Sequence, residues 1–215
     1  GPNIDEEFIS SIYHGWQQLN EGRYSQALNR FLKIWRHNVP RMEKGELARY
    51  IGECYYALGN YRQAVRYFKR AVELNPGSSD LVAMLVKAYY RSKNYKDALE
   101  LAAKALEENP QLHEIRIFYA LSKGHEGDIE GGLDQIEYVL LRDQNNTYAY
   151  RAHAELFILN NDYERALKAI EKAILIDQEN VDLQYMRAYL YETSGDMEKA
   201  KEGYEVVLKL DNNHA

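Results

Sequence analysis

Cysteine is almost missing from this chain. Cys54 stands alone, so no disulfide can close within the molecule and no thiolate cluster can hold zinc. Long hydrophobic runs are missing too: the longest, Leu81-Val82-Ala83-Met84-Leu85-Val86, is far short of the ~18–20 residues a membrane-crossing helix needs. There is no basic excess. With 27 Lys and Arg against 33 Asp and Glu, the net charge of -6 and pI of about 5.6 argue against a general binder of phosphate backbones, which needs a basic face. Nothing at the start reads as a secretory leader, since Asn3-Ile4-Asp5-Glu6-Glu7 is polar and acidic, and Gly1-Pro2 reads as a cleavage scar from an expression tag. A cytoplasmic location is the expectation. A periplasmic or membrane-anchored parent stays open, because the native termini are not in view.

Catalytic signatures are absent as well. The chain has no phosphate loop, zinc-protease signature or nucleophile elbow. Its six histidines, at 14, 37, 113, 125, 153 and 214, include no pair four residues apart on one helix face. No catalytic residue, metal site or cofactor is expected.

What the chain does have is repetition. NYRQAVRYFKRAVELNP at 60–76 returns 34 residues later as NYKDALELAAKALEENP at 94–110. From Tyr61, Ala64, Phe68, Ala71 and Pro76, each step of 34 lands on a recognisable copy. The third copy, around Ile129, Gly132, Ile136, Val139 and Gln144, is the most worn. A backward step of 37 finds Tyr24, Ala27, Phe31 and Ile34. Six repeats result, at 8–41, 45–78, 79–112, 113–146, 147–180 and 181–214, within a single domain spanning 3–215. Apolar spacing inside each repeat is helical, and Leu58-Gly59-Asn60-Tyr61 or Ser194-Gly195-Asp196-Met197 marks a tight turn between two helices. Pro76 and Pro110 end the second helix. Each pair has an apolar stripe too wide to bury alone, so it must stack on its neighbours.

In these residues the chain resembles the tetratricopeptide repeat family. It keeps the family's first-helix places as Ile51-Gly52 with Tyr55, Leu85 with Tyr89, Ala154 with Phe157 and Ala188 with Tyr191. The family's opening Trp is replaced by Ala48, Val82, Arg116, Tyr150 and Gln184. The resemblance covers nearly the whole chain. It implies an all-α solenoid of about twelve helices, a right-handed superhelix of antiparallel pairs, with a concave groove lined by the first helix of each pair. It also implies a non-enzymatic scaffold that binds a protein or peptide partner.

On that geometry the groove is expected to present Ile12 and Trp16, then Arg49, Glu53 and Tyr56, then Lys87 and Tyr90. Further along come Ile117, Phe118 and Leu121, then Arg151 and Glu155, and last Tyr185 and Tyr189. The surface is mixed, with aromatic and aliphatic anchors between charges of both signs, and aromatic and Arg side chains are the types enriched in binding hot spots. Arg49/Glu53 and Arg151/Glu155 also read as intrahelical ion pairs. Family members that clamp a C-terminal carboxylate use Lys, Asn, Asn, Lys and Arg. The matching places here hold Arg49, Glu53, Met84, Glu114 and Phe118, so an anionic terminus would meet two carboxylates. The Asn ladder of members that hold an extended backbone is replaced by Tyr13, Tyr50, Met84, Phe118, Ala152 and Met186. The expected partner is therefore a protein segment with apolar or aromatic anchors, with neither nucleic acid nor membrane insertion involved. Self-association through an uncapped last repeat, or assembly through the ends and convex face, is the alternative.

Four local features carry expectations of their own. The glycine cluster Gly124-His125-Glu126-Gly127-Asp128-Ile129-Glu130-Gly131-Gly132 reads as a loosened turn, a weakened second helix and a hinge. His14 and His153 stand where the repeat carries Leu and are expected to pack. Cys54 reads as a small buried hydrophobe. Asn145-Asn146-Thr147 matches a glycosylation sequon but falls in a turn already rich in Asn.

Overall fold

In the computed structural model the described residues are 2–37, 39 and 41–214, so Gly1 of the expected scar lies outside them. They form twelve α-helices and no strand. These are α1 (Pro2–Asn20), α2 (Tyr24–Trp35), α3 (Arg41–Ala57), α4 (Tyr61–Leu74), α5 (Ser79–Arg91) and α6 (Tyr95–Glu108). Then follow α7 (His113–His125), α8 (Ile129–Arg142), α9 (Thr147–Leu159), α10 (Tyr163–Ile176), α11 (Val181–Thr193) and α12 (Met197–His214). The second helices from α4 onward open at Tyr61, Tyr95, Ile129, Tyr163 and Met197, the places marked by the 34-residue period. Ala64, Phe68 and Ala71 of α4 are buried, one helical stripe facing inward.

The chain divides into two compact units, residues 1–108 and 109–215. In the first, α1 to α6 pack in sequence order around a core that includes Phe31, Leu47, Ile51 and Cys54. In the second, α7 to α12 do the same, with Leu183, Leu190, Ile170 and Ile174 at the centre of one cluster. Each unit is three helix pairs.

Turn chemistry explains why the pairs close. All six turns within a pair pass through the left-handed region, at Gly22, Gly59, Lys93, Gly127, Asn161 and Gly195. A side chain then caps most second helices: Asn60, Asp128, Asp162 and Asp196 each accept a bond from the backbone N–H three residues on. Between pairs, α4 and α6 end two residues before Pro76 and Pro110. The helices α8 and α10 end at the matching place without proline. There Asn146 and Asn180 donate to Asp143 and Asp177, both at 3.1 Å, tying the end of one helix to the cap of the next.

The place of the family's missing Trp has its own use in the second unit. Arg116, Tyr150 and Gln184 each reach back six residues to a turn carbonyl, at Pro110, Gln144 and Gln178, with distances of 3.1, 3.1 and 2.9 Å. Three different side chains thus satisfy the same orphan acceptor.

Candidate functional site

The first-helix faces were expected to carry the contacts, and each unit presents one such face. In the first unit, the C-terminal ends of α1 and α3 meet α5 around a cleft of about 420 Å³. Leu19, Phe68 and Met84 give it apolar walls, Tyr24 and Tyr56 add aromatic surface, and Glu53 and Lys87 bring opposite charges to it. Lys87 Nζ lies 5.8 Å from the centre of the Tyr56 ring, and the Tyr56 hydroxyl accepts from Arg91 Nε at 3.3 Å. Tyr61 packs edge-on against the same ring at 5.1 Å, fixing its plane.

Glu53 is the strained charge of this cleft. Burial lifts its carboxyl above the usual carboxylate range, Arg49 opposes that and Glu46 adds to it. The Arg49 Nε sits 3.7 Å from the carboxylate, so the pair is an ion contact longer than a hydrogen bond. Three expected residues from two first helices (Glu53, Tyr56 and Lys87) therefore come together. Trp16, exposed and stacked on Tyr13 at 5.9 Å, lies one turn before Leu19 on α1. Ile12 is half-buried and packs on the core around Phe31, and Tyr90 packs on Tyr95 at 5.8 Å.

In the second unit the face is built by α9 and α11. Arg151 pairs with Glu155 one turn on, at 3.6 Å, and with Asp182 on the neighbouring first helix. Around this clip stand Tyr148, Tyr185 and Tyr189, respectively 75%, 53% and 46% exposed. Tyr185 leans on Tyr204 of α12 at 5.6 Å, and the Tyr204 hydroxyl donates to Glu192. That bond, with some burial, pushes the Tyr204 phenol up to about 12.

Several expectations need correction. Ile117 and Leu121 are 5% and 4% exposed, and neither offers a surface to a partner. Burying an aliphatic side chain is worth about 1.5–3 kcal/mol, which is the use α7 makes of them. Phe118, beside them, is half-buried. The glycine cluster does not shorten its helix, since α8 runs 14 residues as α4, α6 and α10 do, and it lies inside the second unit rather than at the boundary between units. Gly124 and Gly132 are buried where a methyl group would fall 2.4 Å from Leu156 and 2.7 Å from the Ala120 carbonyl. Close approach of helices accounts for both. His14 is exposed. His153 does pack, its ring 4.6 Å from Phe157, and Cys54 is fully buried with its thiol pushed up to about 12 by burial.

Tyr24 and Phe68 line the cleft without having been expected on the groove face. Tyr24 and Phe68 stand at places the repeat uses for packing, and the cleft shares those side chains with the scaffold. Among the described residues, no group of three His, Cys, Asp or Glu side chains could hold a metal ion, and no helix is long and apolar enough to cross a membrane.

Comparison with known proteins agrees with this architecture. A family model described as tetratricopeptide repeat matches residues 55–123 and 157–215, more than half of the chain. Nothing matches among curated proteins. A thermophilic tetratricopeptide protein of Thermus thermophilus superposes with a TM-score of 0.70 at 17% identity, covering 77% of this chain and 91% of that one. A tetratricopeptide repeat protein of Parabacteroides merdae gives the same TM-score and identity over 95% of this chain and 80% of its own. MamA from Desulfovibrio magneticus gives 0.56 at 18% identity, over 79% and 96%. At these identities the likeness carries the fold alone.

Proposed function

Because this chain belongs to the tetratricopeptide repeat family, whose members are generally protein-interaction scaffolds and typically non-catalytic, we propose that it binds a protein or peptide partner on its first-helix faces. One observation carries the reading. Glu53, Tyr56 and Lys87, from two different first helices, surround one cleft with apolar walls. A recess of that size accepts one or two apolar side chains, and its charged edge fixes their orientation. The exposed tyrosines of α9 and α11 supply further rigid, amphipathic contact area at small entropic cost. The Arg49–Glu53 and Arg151–Glu155 pairs, worth a few tenths of a kcal/mol each, hold the faces in shape without specifying a guest.

Capture from a cell lysate tests this. The wild-type chain is compared with Tyr56→Ala, Tyr189→Ala and Leu141→Glu, all checked for unchanged helicity. Loss of the captured protein with either tyrosine variant, and its retention by Leu141→Glu, is the expected result. Retention by both tyrosine variants would remove the first-helix faces from the function.

A second reading has one observation in its favour. Leu141 of α8, Leu175 of α10 and Leu208 of α12 are exposed on second helices of one unit, two of them at matching repeat places. Such a surface would suit an assembly subunit that docks through its second helices or pairs with itself. Light scattering over a wide concentration range separates the two. A dimer that disappears in Leu141→Glu/Leu175→Glu supports assembly, and a monomer throughout rejects it.

A further inference from the structure

We infer that the partner segment received by the α9–α11 face is basic, an arginine- or lysine-bearing stretch of protein. The inference rests on the scaffold reading above and adds the charge class of the guest.

The exposed rings come first. Tyr148, Tyr185 and Tyr189 stand on two adjacent first helices joined by the Arg151–Asp182 ion pair, and all three leave ring surface in contact with water. A tyrosine face attracts a guanidinium or ammonium within about 6 Å of its centre. The same chain already uses this contact internally: Arg116 and Arg142 stack on Tyr138 at 3.8 and 3.4 Å, and Lys199 lies 5.5 Å from Tyr191.

Charge then selects among the guests such rings could take. Of the ionic side chains of α9 and α11, Glu155, Asp182 and Glu192 stand with Arg151 around the tyrosines, and the other arginine, Arg187, donates to Gln184 at 2.9 Å. Arg151 is already shared between Glu155 and Asp182, so its charge is spent within the face. Glu192 accepts one bond, from a neutral tyrosine hydroxyl, and remains an exposed anion one turn from Tyr189. An acidic segment would meet repulsion here from a chain that already carries a net charge of -6. A basic segment would find a ring to stack on and a carboxylate beside it.

The test uses the whole chain and two short fluorescent peptides, one alternating Arg with Leu and the other Glu with Leu, followed by anisotropy. The Arg peptide should bind, more weakly as salt rises, and the Glu peptide should not. Tyr189→Ala should weaken binding about fivefold to tenfold, and Glu192→Lys about tenfold or more. Glu107→Lys, the same charge change on an exposed second-helix place of the other unit, should leave binding within about twofold. Three outcomes overturn the inference: no binding of the Arg peptide at millimolar concentration, equal binding of the Glu peptide, or an equal loss in Glu107→Lys. If one of these occurs while lysate capture still depends on Tyr189, the charge class fails and the scaffold reading stands.

Discussion

At the scale of single residues, the pairs that let two helices touch decide most. Gly15 and Gly52 face Phe31 and Phe68 so closely that an added methyl group would lie 2.4 and 2.6 Å from the ring. At the same register in later repeats Val86 with Ala102 reverses the sizes, while Ala120 with Ile136 and Ala154 with Ile170 keep the small residue on the first helix. A large residue on one helix is matched by a small one on its mate, so the space filled is conserved while the letters change. Replacing Gly52 by Ala should cost about 1–2 kcal/mol, the gain in helix propensity being outweighed by overpacking. Adding Phe68→Leu should restore most of it, which chemical denaturation of both variants would measure. Half of this was legible in the sequence. The helical recurrence of apolar positions marks the inner stripe, but which partner yields volume to which depends on contacts sixteen residues apart. Gly124 and Gly132 show the limit: a glycine in a worn repeat looks like slack until the atoms around it are known.

At the scale of helices, the ends are held by different devices in different repeats. Pro76 and Pro110 stop α4 and α6, and both are visible in the sequence. For α8 and α10 the stop is an Asp–Asn bond across the turn, which sequence shows only as a polar cluster. Asn180 has two tasks, since its side chain also accepts from the Leu183 N–H at 3.2 Å to open α11. Asn180→Ala should therefore cost about 1–2 kcal/mol and Asp177→Ala only about 0.5–1 kcal/mol. Both should shift the urea midpoint with an unchanged slope. The reach of Arg116, Tyr150 and Gln184 to turn carbonyls was also hidden, because three unlike residues share no pattern until the common acceptor is seen.

At the scale of the molecule, repetition was plain and its interruption was not. The copies run on without insertion through Glu108 and Asn109, where one compact unit gives way to the next, so no change of period marks the place. The face residues were only partly legible, since a periodic place predicts direction along a helix but not what covers it. Tyr185 and Tyr189 are open, whereas Ile117 and Leu121 at matching places are buried. Global stability should also carry a signature of His153. Burial, helped by Lys172, pushes its imidazole down to about 4 from an ordinary 6.5. Between those values the unfolded chain binds a proton that the fold excludes, so stability is full above pH 6.5 and falls as pH drops toward 4. Replacement by Phe should flatten the fall between pH 7 and 5 by about 1 kcal/mol, read as the difference between denaturation series of the two proteins.

Cys54 gives the molecule a built-in clock. Its thiol is sealed in the core and held protonated, so a thiol-modifying reagent can reach it only while the surrounding helices part. As the sole cysteine, it makes the labelling rate a direct count of those openings, with no other sulfhydryl to subtract. A guest seated in the cleft beside α3 would slow that count in proportion to how firmly it holds the first unit shut.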